Sequence, residues 1–145
     1  MSRLILAPSL RADINIQAAQ AWPRECCGLL IGCRGGADIL VRRVVAAPNV
    51  AEDPARRFEV DPATLLAAHR AARAAGEEIL GPYHSHPDGP ARPSATDMAR
   101  ARDAAAAGEI WLIIPVLQGV AGAAQAYEFD GRVFAEAELA AEGRP

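Results

Sequence analysis

Apolar and polar positions along this chain switch repeatedly between the strand period and the helix period. Leu4 to Ala7 is a short apolar run that predicts a first strand. Residues 12–22 carry apolar groups at helical spacing and stop before Pro23, which cannot continue a helix. Cys26 to Ile31 is continuously apolar and ends in Gly32, the pattern of a buried strand. Arg34 to Asp38 predicts a turn, and Ile39 to Ala47 its hairpin partner. A polar loop containing prolines, 48–57, leads into an extended piece, Phe58-Glu59-Val60. Asp61-Pro62 predicts a helix start, with Asp as N-cap and Pro at the first helical position, running to about Ala75 before Gly76. Glu78 to His86 then reads as a strand, Ser94 to Ala107 as a helix ended by Gly108, and Ile110 to Leu117 as another buried strand. Gly119 to Gly122 is a turn, and Ala124 to Phe129 with Arg132 to Glu138 form a closing hairpin around Asp130-Gly131; the tail from Ala140 frays. Mixed helices and hairpin-linked strands predict an α/β sandwich-like fold without internal repeat or linker.

Bulk properties narrow the function classes. The 145 residues suit one domain, 1–145, large enough for a core without staples. The net charge is −3 and the fifteen basic residues, all arginine, are scattered, so no basic stripe follows a phosphate backbone and nucleic acid is excluded as a partner. The longest strongly apolar run, Ile110 to Leu117, contains Pro115 and falls far short of the ~20 residues a membrane helix needs. The first ten residues lack the apolar region of a signal peptide, so no membrane association and a cytoplasmic location are expected. Cys26, Cys27 and Cys33 make neither a disulfide framework nor a paired zinc knuckle, and read as small buried strand residues. If residues 25–31 form a strand, Glu25, Cys27 and Leu29 share one face, which puts Cys27 near any site built on Glu25.

The chemistry concentrates in His84-Ser85-His86-Pro87, followed eight and eleven residues after His86 by Ser94 and Asp97. On a strand, both imidazoles project to one face, while Ser85 faces away as a packing or hydrogen-bonding residue. Pro87, Gly89, Pro90 and Pro93 make a stiff turning loop, and Ser94 and Asp97 stand at i and i+3 of the next helix. A catalytic zinc takes three nitrogen or oxygen ligands and keeps a fourth position for water. His84, His86 and Asp97 supply three candidates, and Glu25 is a candidate general base. A bland reading stands beside this one: Ser-x-x-acid at a helix start is close to a capping box, which alone would explain Ser94 and Asp97. The third histidine, His69, is mid-helix and reads as surface. Zinc deaminases require His-x-Glu with a later Pro-Cys-x-x-Cys, and many zinc proteases a His-Glu-x-x-His helix; both are absent. A cupin remains open, although Pro87 and the internal helices speak against it.

Glu25, then His84-x-His86, seven residues, Ser94, two residues and Asp97 together resemble the signature of the JAMM/MPN+ zinc metalloproteases (the JAB/Mov34 group). The context Glu25-Cys26-Cys27-Gly28-Leu29-Leu30 is similar as well, and the stretch from Asn49 to Pro62 resembles short prokaryotic members. The resemblance runs from about residue 3 to 135 and departs at no motif position. It implies a single MPN/JAMM domain of cytidine-deaminase-like type, a mixed curved sheet with helices packed on it. It implies a hydrolase, a zinc-dependent peptidase or isopeptidase, that cuts after the C-terminal glycines of a ubiquitin-like or sulfur-carrier β-grasp protein. One Zn2+ per chain would be bound by His84, His86 and Asp97, with Glu25 as general acid/base and Ser94 helping to hold the oxyanion. Two other classes stay in view: a metal-free MPN-type interaction scaffold and a cupin-like metalloprotein. The carrier, the leaving group (cysteine, peptide tail or lysine conjugate) and the oligomeric state, a homodimer included, are left open. Phe58-Glu59-Val60 and the loop from Asn49 to Arg57 are placed to grip a carrier tail by adding a strand.

Overall fold

The computed structural model describes residues 1–142. Its elements are β1 Arg3–Ile5, α1 Pro8–Ala21, β2 Cys27–Gly35, β3 Asp38–Ala47, α2 Pro62–Ala74, β4 Glu78–Pro87, α3 Ala95–Asp103, β5 Ile110–Leu117, β6 Val120–Ala121, β7 Gln125–Phe129 and β8 Phe134–Ala140. β5 has the expected bounds, and α2 starts as expected: the Asp61 carboxylate accepts from the Thr64 N–H, with Pro62 at the first position.

The departures have local causes. α1 begins at Pro8, four residues before its periodic stretch, because proline fits the first helical turn even though Ala7 offers no side-chain cap. β2 does not end at Gly32. The β2–β3 register shifts there, and a Cβ on Gly32 would collide with the Leu40 carbonyl, so this glycine permits close strand approach rather than stopping the strand. α3 ends at Asp103 instead of Ala107. Ala105 N donates to Arg102 O and Ala106 N to Ala101 O, with Ala105 at φ 50°, which is a Schellman closure. The turn from Gly119 to Gly122 contains the two-residue strand β6. Ala140, expected to fray, completes β8, while 143–145 lie outside the described residues.

The strands pair in the order β4-β2-β3-β1-β8-β7-β5-β6, and β4 also pairs with β5, which closes the sheet on itself. β1–β3, β1–β8 and β4–β5 are parallel; the other pairings are antiparallel. This is the mixed, curved α/β sheet that the resemblance implies.

Strand alternation separates two environments. Leu30, Leu80, Tyr83, Leu112 and Ile114 join Ile14 and Ala18 of α1 in the largest core cluster. The opposite side splits in two. Leu29 and Ile31 pack on Ala68 and Ala72 of α2. Cys27, Phe58 and Trp111 pack near Ala101 and Ala106, at and just beyond α3. His84 and His86 alternate with Tyr83 and Ser85, and Phe58 and Trp111 ring against His84. Among the described residues no helix is long and apolar enough to cross a membrane.

Candidate metal centre

β4 carries His84 and His86, and the proline-rich loop after it returns the chain to the N-terminus of α3. There Ser94 and Asp97 form a capping box: Asp97 N donates to Ser94 Oγ at 3.0 Å, and Ser94 N donates to Asp97 Oδ2 at 3.0 Å. The bland reading of this pair is therefore correct as far as it goes. The same box aims the Asp97 carboxylate at the histidines.

His84 Nε2 lies 3.1 Å from His86 Nε2, and Asp97 Oδ2 lies 3.2 Å and 3.0 Å from the two nitrogens. Ligand atoms about 2.0–2.1 Å from a zinc ion at tetrahedral angles stand about 3.3 Å apart, so this convergence fits a bound cation. Among the described residues, His84, His86 and Asp97 are the group whose ligand atoms could hold a metal ion, all within 4.8 Å of one another and all buried.

The surroundings set each ring's state. His86 Nδ1 donates to Pro90 O at 2.7 Å, which leaves Nε2 as the ring's free lone pair when the imidazole is neutral. Burial pushes His86 down, but its bonds to Asp97 and the Pro90 carbonyl outweigh this and raise it above an ordinary histidine. Burial holds His84 below the usual range, so that ring stays neutral, the form that binds metal. Burial also pushes Asp97 upward, yet the hydrogen bonds from His84, His86 and the Ser94 N–H hold it well below the carboxylate range. Two neutral-capable imidazoles facing one anionic oxygen are a set of donors suited to zinc.

Glu25 sits just before β2. Its N–H donates to Pro54 O at 2.7 Å, and its carbonyl accepts from Asn49 Nδ2 at 3.0 Å. The side chain is buried, Oε1 has no partner among the described residues, and desolvation pushes its pKa up to about 8. The carboxyl is close enough to feel the charges of His86 and Asp97. A carboxyl poised near neutrality beside such a cluster suits proton transfer. His84 Nδ1 also lacks a partner, so among the described residues two of the three orphaned buried side-chain atoms belong to this cluster.

Ser94 is exposed at the N-cap, and its hydroxyl still has a proton to donate while a lone pair serves the cap. Ser85 points away, as expected, with Oγ accepting from Cys26 N at 2.8 Å. Cys27 stands opposite His84 in the β2–β4 register, but burial drives its thiol up to about 12 and Sγ lies 3.7 Å from Ala47 O and from Pro48 O. It is a packing residue and not one of the candidate ligands. His69 is exposed on α2.

Three contributors were not legible as parts of the metal centre, although Phe58 and Asn49 lie in the stretch expected to grip a carrier tail. Phe58 stacks on His84 with centroids 4.3 Å apart at 24°, and Trp111 meets the same ring edge-on at 5.6 Å. Asn49 ties the loop together, donating to Glu25 O and Arg57 O and accepting from Ala51 N and Glu59 N. Phe58 and Trp111 stand 26 and 27 residues from His84, so only the fold brings them to it. Asn49 did carry a signal, a side chain able to mimic backbone partners in a long polar loop.

A family model described as prokaryotic homologues of the JAB domain matches residues 8–130. A Haloferax volcanii protein named desampylase is 36% identical over 148 residues, covering 97% of this chain and 98% of that protein. A Thermus thermophilus protein named "Probable TtuB-protein conjugate cleaving protease" is 42% identical over 80 residues, 55% of this chain and 51% of that one. Among solved structures, a Desulfitobacterium hafniense protein superposes with TM-score 0.80 at 34% identity, covering 96% of this chain and 91% of that one. A JAB1/MPN domain protein from Archaeoglobus fulgidus shares the fold, with TM-score 0.57 at 21% identity over 97% of this chain and 99% of that one.

Proposed function

The chain belongs to the family of prokaryotic homologues of the JAB domain, and on that premise we propose that it is a zinc-dependent peptidase or isopeptidase. Membership makes it a JAB-family hydrolase and removes the cupin-like alternative. Its substrate, in this reading, is the amide bond after the C-terminal glycines of a ubiquitin-like or sulfur-carrier β-grasp protein. Two relatives whose names specify desampylation and cleavage of TtuB-protein conjugates support that substrate class. The observation that carries the reading is the convergence of His84, His86 and Asp97 beside the buried, unpartnered Glu25 carboxyl.

His84, His86 and Asp97 would hold the ion. Zinc, when bound, supplies a Lewis acid that makes hydroxide available near neutral pH and polarises the scissile carbonyl. Glu25 takes the proton from the attacking water and later delivers it to the leaving amine, a role worth about 10²–10⁴-fold. The Ser94 hydroxyl donates toward the developing oxyanion while its lone pair keeps the cap; such a donor is worth roughly 2.7–4 kcal/mol. Phe58 and Trp111 hold the His84 ring in place.

The test is incubation of zinc-loaded protein with a β-grasp carrier extended beyond its Gly-Gly terminus, read by mass spectrometry. Expected is a new Gly-Gly terminus with the wild type and an intact carrier with Glu25→Gln. Carriers left intact by the wild type, across ubiquitin-like and sulfur-carrier substrates, would contradict the reading.

A further inference from the structure

Arg100 sits on α3 three residues after Asp97, so it shares the helix face of the candidate ligand. Its guanidinium carbon lies 4.9 Å from the ring centroid of Phe58, the same ring that stacks on His84. Two cavities of about 480 Å³ each meet at this pair. One is lined by Asp97, Thr96, Arg57, Phe58 and Arg100; the other continues past Phe58 and Arg100 to Val60, Leu65, Trp111 and Glu109. They share Phe58, Arg100 and Ala104 in their walls; Asp97 is the candidate ligand that reaches the first, and the second is mainly apolar, with Glu59 and Glu109 in its lining.

The electrostatics of these cavities are unusual. Arg3, the buried arginine among the described residues, is clamped by both oxygens of Asp38. Arg100 is half-buried and, among the described residues, makes no ion pair within 4 Å and no side-chain hydrogen bond, although its charge is felt at the Glu25 carboxyl and the His84 ring. Asp103 lines the same cavity one turn further along α3 without pairing with it. Arg57, exposed and also without a carboxylate partner among the described residues, immediately precedes Phe58 and lines the same cavity. The cation–π contact places the guanidinium over the Phe58 ring and leaves its N–H donors unused, and a guanidinium edge matches a carboxylate bidentately.

We propose that Arg100, assisted by Arg57, recognises a carboxylate of the substrate lying in these cavities, and so determines which carriers or extensions are cut. The inference rests on the hydrolytic reading above. The carboxylate has two sources: an acidic side chain in the carrier tail just before Gly-Gly, or the free α-carboxylate of the residue released after it.

The experiment uses zinc-loaded enzyme and two matched substrate pairs. The first pair carries Glu or Gln in the tail before Gly-Gly, with the leaving residue amidated. The second has a neutral tail and a leaving residue ending in a free acid or an amide. In at least one pair, KM for the acidic member is expected to be about tenfold lower, the size of one charge-assisted hydrogen bond. The pair that shows it identifies the source. Arg100→Gln should collapse that ratio toward one, and Arg100→Lys should retain part of it. Equal KM within both pairs overturns the inference while leaving the hydrolase reading intact, as does an acid preference that persists in Arg100→Gln. No cleavage of any member by the wild type would overturn both.

Discussion

β4 presents two polar faces to the interior, and they are built on opposite rules. On one face the β4 side chains pair with their neighbours: the Tyr83 hydroxyl donates to Gln17 Oε1, Gln17 Nε2 donates to Cys27 O, and Ser85 Oγ accepts from Cys26 N. On the other face His84, His86 and Asp97 crowd nitrogens and an oxygen to within 3.0–3.2 Å of one another, and Glu25 Oε1 and His84 Nδ1 have no partner among the described residues. Both faces are buried in the same strand. Buried polar groups that satisfy each other hold the fold together, whereas those that converge without satisfying each other mark a place where something else binds.

The contrast should break most completely at Asp97. Asp97→Asn keeps an oxygen that can accept from the Ser94 N–H, so the capping box survives while the anionic ligand is lost. Zinc retained after dialysis should fall to background, with stability changed by no more than about 1 kcal/mol. Retention of zinc would leave Asp97 with a capping role only. Next in size is Glu25→Gln, which should keep its zinc and lose about 10²–10⁴-fold in turnover. Unchanged turnover would remove Glu25 from the chemistry.

A pH series of metal affinity sharpens the difference between the two rings. His86 holds its proton above the ordinary histidine range and must release it to bind metal, while His84 stays neutral. Below the His86 range, affinity should therefore fall about tenfold per pH unit, the slope of one competing proton. A flat profile through that range would contradict the assignment. The smallest effect belongs to the matched face. Ser85→Ala strands the buried Cys26 N–H and should cost about 1–3 kcal/mol of stability with zinc content unchanged.

Much of this was legible in the chain because its signals are local. His84 and His86 alternate on one strand, Ser94 and Asp97 lie one helical turn apart, and the Asp61-Pro62 start is a two-residue signature. What was hidden depends on distant or chemically silent positions. α3 ends in a Schellman closure with Ala105, not glycine, in the left-handed region, within a run of alanines that reads as continuing helix. Phe58 belongs to an extended piece that looks available for pairing, and only the fold turns its ring onto His84. Arg100 looks like one more helix-surface arginine until the cavity beside Asp97 is seen.

The most direct measurement is metal content per chain of carefully purified protein by inductively coupled plasma mass spectrometry, for the wild type and Asp97→Asn. A stoichiometry near one zinc in the wild type and none in the variant is predicted. Absence of metal from the wild type, persisting after zinc is added back, would contradict the metal centre and make a metal-free interaction scaffold the better description.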